Sequence, residues 1–378
     1  MIMDFICYPW EIWEIFPNYI SNFKKLEILH MGNNALTYKG VNYICGKNFK
    51  NIFALNLDNN AVGVEGTYLI ANYEKNNLRR LSLVKNDICT KGAELISIMN
   101  LMKLESINLS DNFINDLGFY FLCKGKFENL KELDVSLNRI SDEGLVYLTE
   151  AIFTESLTYL NLAGNDITDG GIKYISFCKM AQLENLNLSV NYLKSKTGSY
   201  LSKCNFDLLS SLNLQRNKIK SLGLKNMVTS RFFSNLVNLN LYYCKLGNEG
   251  CQILRYANTV KIVNLSLKDN GINDDGVIEL CKGNWTNLKD LNLEDNDIGK
   301  IGIDTIINTI LKQLTFLRLK GNKRMENKDI VNIYNSIGNN EMEIDNEHKF
   351  TFLNYSQINY GAIRYCIRHP EIMKKTKK

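Results

Sequence analysis

Between residues 24 and 324 the apolar positions follow a rhythm of about 26 residues that runs through twelve copies. Residues 157–172, LTYLNLAGNDITDGGI, show it most plainly. Leu157, Leu160, Leu162 and Ile167 are apolar, and Asn165 closes the run. Leu160 and Leu162 are alternate residues, so in an extended segment they share one side while Asn161 faces the other. The Asn165 amide offers two donors and an acceptor to backbone groups that a turn leaves unpaired. Thr168 or Asp169 can then cap a helix that keeps Ile172 and Ile175 on one face. A strand and helix this short cannot bury both apolar faces alone, so each copy has to lean on the next.

The copies begin at Leu26, Ile52, Leu78, Leu104, Leu130, Leu157, Leu183, Leu209, Leu236, Ile262, Leu288 and Leu314. Their closing positions are Asn34, Asn60, Asn86, Asn112, Asn138, Asn165, Asn191, Asn217, Cys244, Asn270, Asn296 and Asn322, in steps of 26 with two of 27. At Cys244 a thiol stands where the others have an amide, a weaker partner for the backbone that fills the same space. Glycine follows the last apolar position by four residues in most copies, as at Gly92 and Gly171. In the seventh copy it comes one place late, at Gly198, which predicts an irregular loop.

This skeleton, L-x-x-L-x-L-x-x-N-x-I with a trailing glycine, resembles the leucine-rich repeat in its ribonuclease-inhibitor-like and cysteine-containing subclasses. The period lies within the 20–29 residues of that repeat class. The resemblance spans residues 24–324 and implies an α/β leucine-rich-repeat solenoid, a horseshoe with a parallel β-sheet on its concave face and helices on its convex face. It also implies a scaffold for binding rather than an enzyme.

Residues 1–23 read as an N-terminal cap, with Met3 and Phe5 fitting a terminal strand and Pro9 opening a helix with Trp10, Trp13 and Phe16 on one side. The stretch YPWEIWEIFPNYIS also resembles the opening of an F-box, although an F-box is longer than the segment before Leu26. Residues 325–378 read as a degenerate closing repeat from Phe350 with Leu353, Tyr355, Ile358 and Tyr360 in phase, then a helix and a basic tail. Six copies carry a large aromatic three residues ahead of the strand segment: Phe23, Phe49, Phe127, Phe206, Phe233 and Trp285. At this period they predict an apolar seam.

Composition narrows the function. Charged residues are 22 % and apolar ones 45 %, with a net charge of +5, an ordinary globular balance that does not point to nucleic acid or an anionic membrane. Ten cysteines without paired short spacing fit reduced packing residues better than disulfides or zinc ligands. The opening MIMDFICYPWEIWEIF carries Asp4, Glu11 and Glu14 and lacks the pattern of a secretory leader. An intracellular, cytoplasmic location is expected, with export by a route lacking a cleaved signal left open. The three histidines, His30, His348 and His369, fall at opposite ends of the repeats, and no phosphate loop, metal-ligand pair or nucleophile elbow occurs. Neither cofactor nor metal is expected.

A solenoid offers its inner sheet. The central row, Asn56, Ser82, Asn108, Asp134, Asn161, Asn187, Asn213, Asn240, Ser266 and Asn292, is mostly repeat consensus. The flanking positions depart from it and place Tyr159, Tyr192, Arg216, Lys218, Tyr242, Tyr243, Lys245 and Lys268 along the face and its strand-exit edge. Tyr and Arg are the residue types that most often anchor interfaces. The face then turns acidic at Asp269, Asp290, Glu294 and Asp295. The expected partner is another protein, held by a monomer without membrane attachment. RNA would use the same tyrosines and cations, but the slight net charge and acidic flank disfavour it. An adaptor role in a ubiquitin ligase, through the F-box-like start, and a GTPase-activator-like role are the remaining alternatives.

Overall fold

A computed structural model describes residues 2–4, 26–46, 51–72, 77–99, 101–337 and 343–345. The chain forms two compact units, residues 1–193 with 203–209, and residues 194–202 with 210–378. Within each, three-residue strands alternate with helices, as the switch from alternate-residue to helical apolar spacing requires.

In the first unit the strands are β1 (Ile2–Asp4), β2 (Ile28–His30), β3 (Ala54–Asn56), β4 (Arg80–Ser82), β5 (Ser106–Asn108), β6 (Glu132–Asp134), β7 (Tyr159–Asn161) and β8 (Asn185–Asn187). Each pairs in parallel with the next, and equivalent residues face one another, Leu133 with Leu160 and Leu160 with Leu186. The helices between them are α1 (Tyr38–Gly46), α2 (Gly63–Asn72), α3 (Cys89–Ser97), α4 (Asn115–Lys124), α5 (Asp142–Leu148) and α6 (Asp169–Ile175). The second unit holds α7 (Lys196–Leu201), then β9 (Ser211–Asn213), α8 (Lys220–Met227), β10 (Asn238–Asn240), α9 (Gly247–Tyr256), β11 (Asn264–Ser266), α10 (Asp274–Cys281), β12 (Asp290–Asn292), α11 (Lys300–Asn308), β13 (Phe316–Arg318), α12 (Asn327–Ile337) and β14 (Glu343–Asp345). Its strands also run parallel in sequence order.

The core lies between sheet and helices, where the skeleton leucines of β5 to β13 are buried. The closing asparagines form a ladder inside each unit. Asn112 Oδ1 accepts from the N–H groups of Asn86 (2.9 Å) and Ile88 (3.3 Å), while its Nδ2 donates to the carbonyls of Leu83 (2.7 Å) and Leu109 (3.0 Å). Asn138 and Asn165 repeat this arrangement, as does Asn296 in the second unit. One amide thereby satisfies backbone groups of its own turn and of the preceding copy. Cys244 keeps part of this role, donating from Sγ to the Leu214 carbonyl at 3.2 Å and accepting from the backbone of Asn217. Burial pushes its thiol up to about 12, so it remains protonated.

Two expectations are refined. The late glycine of the seventh copy does not break the helix, since α7 spans it; a Cβ on Gly198 would lie 1.9 Å from the Gly223 carbonyl oxygen, so glycine admits the neighbouring backbone. The strand that pairs with β13 is Glu343–Asp345, which the repeat pattern did not mark. The closing copy read at Phe350, the basic tail, the helix from Pro9 and the F-box-like stretch lie outside the described residues. Met3 does fall in a strand, β1, paired with β2. In the aromatic seam Phe127, Phe206, Phe233 and Trp285 are buried, whereas Phe23 and Phe49 are not described.

Candidate partner-binding face

The central row of the sheet is committed to the backbone. The Asn213 side-chain oxygen accepts from the Gln215 N–H (3.1 Å), Asn240 from Tyr242 (3.1 Å) and Asn292 from Glu294 (2.9 Å). Asn108, Asp134, Asn161 and Asn187 do the same in the first unit. These side chains close the end of each strand, which explains why the row follows consensus. What remains for recognition are the positions beside it.

In the second unit those positions frame a groove of about 410 Å³ on the sheet, floored by Ser211, Asn238, Asn264 and the strand leucines, with Asp290 and Arg318 in contact at one end. At the strand-exit edge four of the sequence-predicted residues come together. The Tyr242 ring lies between two cations, with the Arg216 guanidinium carbon 5.5 Å and Lys268 Nζ 5.6 Å from its centroid. Arg216 Nη2 donates to the Tyr242 hydroxyl at 3.3 Å, and this hydrogen bond above all raises the guanidinium pKa above its ordinary value. Tyr243 packs edge-on against Tyr242, ring centroids 6.2 Å apart, and is 43 % exposed. Lys268 is tied down by Glu294 (2.9 Å) and Asp295 (3.0 Å), and the Glu294 hydrogen bond above all raises its pKa. Lys268 is thus held in ion pairs, whereas Arg216 meets a tyrosine hydroxyl, with the Asp269 charge nearby.

Lys218 and Lys245 are exposed on the same edge, and among the described residues no hydrogen bond or ion pair joins their side chains to this cluster. Tyr159 and Tyr192 belong to the first unit. Tyr159 is half-buried on β7; burial, then the nearby Asp134 carboxylate, raise its hydroxyl pKa. Tyr192 stands 62 % exposed just past β8. Sequence reasoning missed the left-handed backbone at the strand exit: Arg216, Tyr243, Asp269 and Asp295 all have φ between 51° and 56°. Gly164 and Gly321, in the same place of their copies, were the available signal.

The Leucine Rich repeat family model matches residues 128–148, 155–176, 260–281 and 286–306. The chain carries leucine-rich repeats. Its fold is similar to that of a chain in the crystal structure of the Rad7 and Elc1 complex in yeast, with a TM-score of 0.57 and 16 % identity, covering 88 % of this chain and 77 % of that one. An internalin (inlF) of Listeria monocytogenes also matches, with a TM-score of 0.45 and 19 % identity over 87 % of this chain and 82 % of its own. No curated protein matches the sequence. Leucine-rich repeats suggest a protein-interaction scaffold. Among the described residues no group of three or more His, Cys, Asp and Glu could hold a metal ion, and no helix is long and apolar enough to cross a membrane.

Proposed function

We propose that this leucine-rich-repeat protein is a non-catalytic scaffold that grips a partner protein with its sheet face and strand-exit edge. The observation that carries the reading is the Tyr242 ring held between Arg216 and Lys268, with Tyr243 exposed beside it. Stacked Tyr and Arg side chains lose little rotamer freedom on contact and bring both apolar area and directed hydrogen bonds, which is why such groups anchor interfaces. Tyr159, Tyr192, Lys218 and Lys245 extend the proposed surface.

Residues 1–23 support a second reading, an adaptor that also docks a ubiquitin-ligase component through the F-box-like YPWEIWEIFPNYIS. The structural relative in yeast comes from a complex of two proteins, Rad7 and Elc1. One affinity capture from cytosol tests both readings, comparing the full chain, an Arg216→Ala/Tyr242→Ala/Tyr243→Ala variant and residues 24–378. The triple variant is expected to lose the captured partner, identified by mass spectrometry, at an unchanged melting temperature. Full capture by the triple variant removes the patch from the interface. Ligase components recovered only with residues 1–23 present favour the adaptor.

A further inference from the structure

We propose that the strand-exit edge formed by the turns after β9 and β10 seats an acidic segment of the partner protein. This rests on the scaffold reading and adds the partner's chemistry. Arg216, Lys218, Lys220 and Lys245 are exposed on two adjoining turns, held side by side by hydrogen bonds from the Arg216 N–H to the Tyr242 carbonyl (2.7 Å) and from the Lys220 N–H to the Cys244 carbonyl (2.9 Å). Among the described residues none of these four cations forms an ion pair, whereas Lys268, on the next turn, is held by Glu294 and Asp295. Unneutralised cations gathered at one edge are the complement of carboxylates on another surface.

The width of the strip selects the occupant. The matching turn positions of the next copies carry Asp269, Asp295 and Asp297, so on that side the cationic strip ends after two turns, about 10 Å at ordinary strand spacing. That span suits a few carboxylates on a peptide. A nucleic-acid backbone following the edge would meet aspartates within two turns.

Arg216, Lys220, Tyr243 and Lys245 have φ of 56°, 57°, 54° and 58°, as other copies have at Lys85, Asp87 and Cys89. Glycine stands in the equivalent turn positions at Gly321, Gly247 and Gly271, so the fold accepts glycine there. A Cβ on Gly247 or Gly271 would meet nothing within 4 Å, so open space adjoins Lys220 and Lys245.

The test is the fluorescence anisotropy of a labelled decapeptide of glutamate and tyrosine, alongside a decalysine and a ten-nucleotide oligouridylate. The acidic peptide is expected to bind the full-length protein most tightly. The Arg216→Gly/Lys220→Gly/Tyr243→Gly/Lys245→Gly variant should bind it at least tenfold more weakly, with a melting temperature that holds or rises because four left-handed residues are relaxed. A Lys126→Ala/Lys131→Ala/Lys173→Ala variant loses as many exposed positive charges elsewhere and should bind like the wild type. Equal weakening in both variants, unchanged affinity in the glycine variant, or tighter binding of oligouridylate each overturns the acidic seat. The scaffold reading is judged separately by the capture experiment and falls only if no partner depends on the sheet face and edge.

Discussion

Asn138 shows how one side chain can hold two copies together. Its amide accepts from the N–H groups of Asn112 and Ile114 and donates to the Leu109 carbonyl, all in a buried environment where an unmade hydrogen bond is expensive. Cys244 makes only part of that set. Cys244→Asn is expected to stabilise the protein by about 1 kcal/mol, since the new amide reaches carbonyls and N–H groups already placed for it. Urea unfolding checks this, and a lowered midpoint would show that the larger side chain does not fit. The variant should also flatten the alkaline dependence. The folded thiol sits at about 12, above its ordinary 9.0, so the unfolded chain releases its proton first. Its contribution is therefore complete below pH 9 and declines as the pH rises from 9 towards 12. The ladder residues were legible in the sequence because their spacing hardly varies. Phe153, buried with its ring 6.4 Å from that of Phe127, was not, because a 27-residue step shifts it one place out of the aromatic series.

Strands three residues long and helices of six to eleven could not persist alone; each is completed by its neighbours. Of the two caps the sequence offered, Thr168 serves α6, accepting from the Gly170 N–H at 3.1 Å. Helix starts also borrow a carboxylate from the copy before, α6 included, where Asp142 accepts from the Thr168 N–H at 2.7 Å. Asp274 accepts from Gly299 (2.7 Å) and Gly302 (2.9 Å) at the start of α11, and Asp116 from Ser141 (2.6 Å) and Gly144 (3.1 Å) at the start of α5. Asp274→Ala should lower stability by about 2 kcal/mol by leaving two buried N–H groups without an acceptor. Faster hydrogen exchange at residues 299–302 would locate the effect, and unchanged exchange there would refute the borrowed cap. The sequence showed an aspartate at a helix start, but the helix served lies a copy further on, because only stacking brings the two together.

Leu160 connects the unit's parts: it is buried, centred on β7, and in register with Leu133 and Leu186 on either side. Leu160→Ala is expected to destabilise the protein by about 2–5 kcal/mol, the range for buried leucines; a loss below about 0.5 kcal/mol in denaturant unfolding would mean that the interior is not shared between copies. The sequence by itself determined the repeat, the alternation of strand and helix, the buried leucines and the asparagine ladder. Those follow from periodicity, and a period is a property of the chain alone. The tertiary structure decided which exposed groups meet. It set Tyr242 between Arg216 and Lys268 and gave Lys268 to Glu294 and Asp295. It also supplied β14 from Glu343–Asp345, where one apolar residue, Ile344, lies between two acids. Pairings of this kind depend on distances between neighbouring copies and on which carboxylate lies nearer, and spacing along the chain does not encode either.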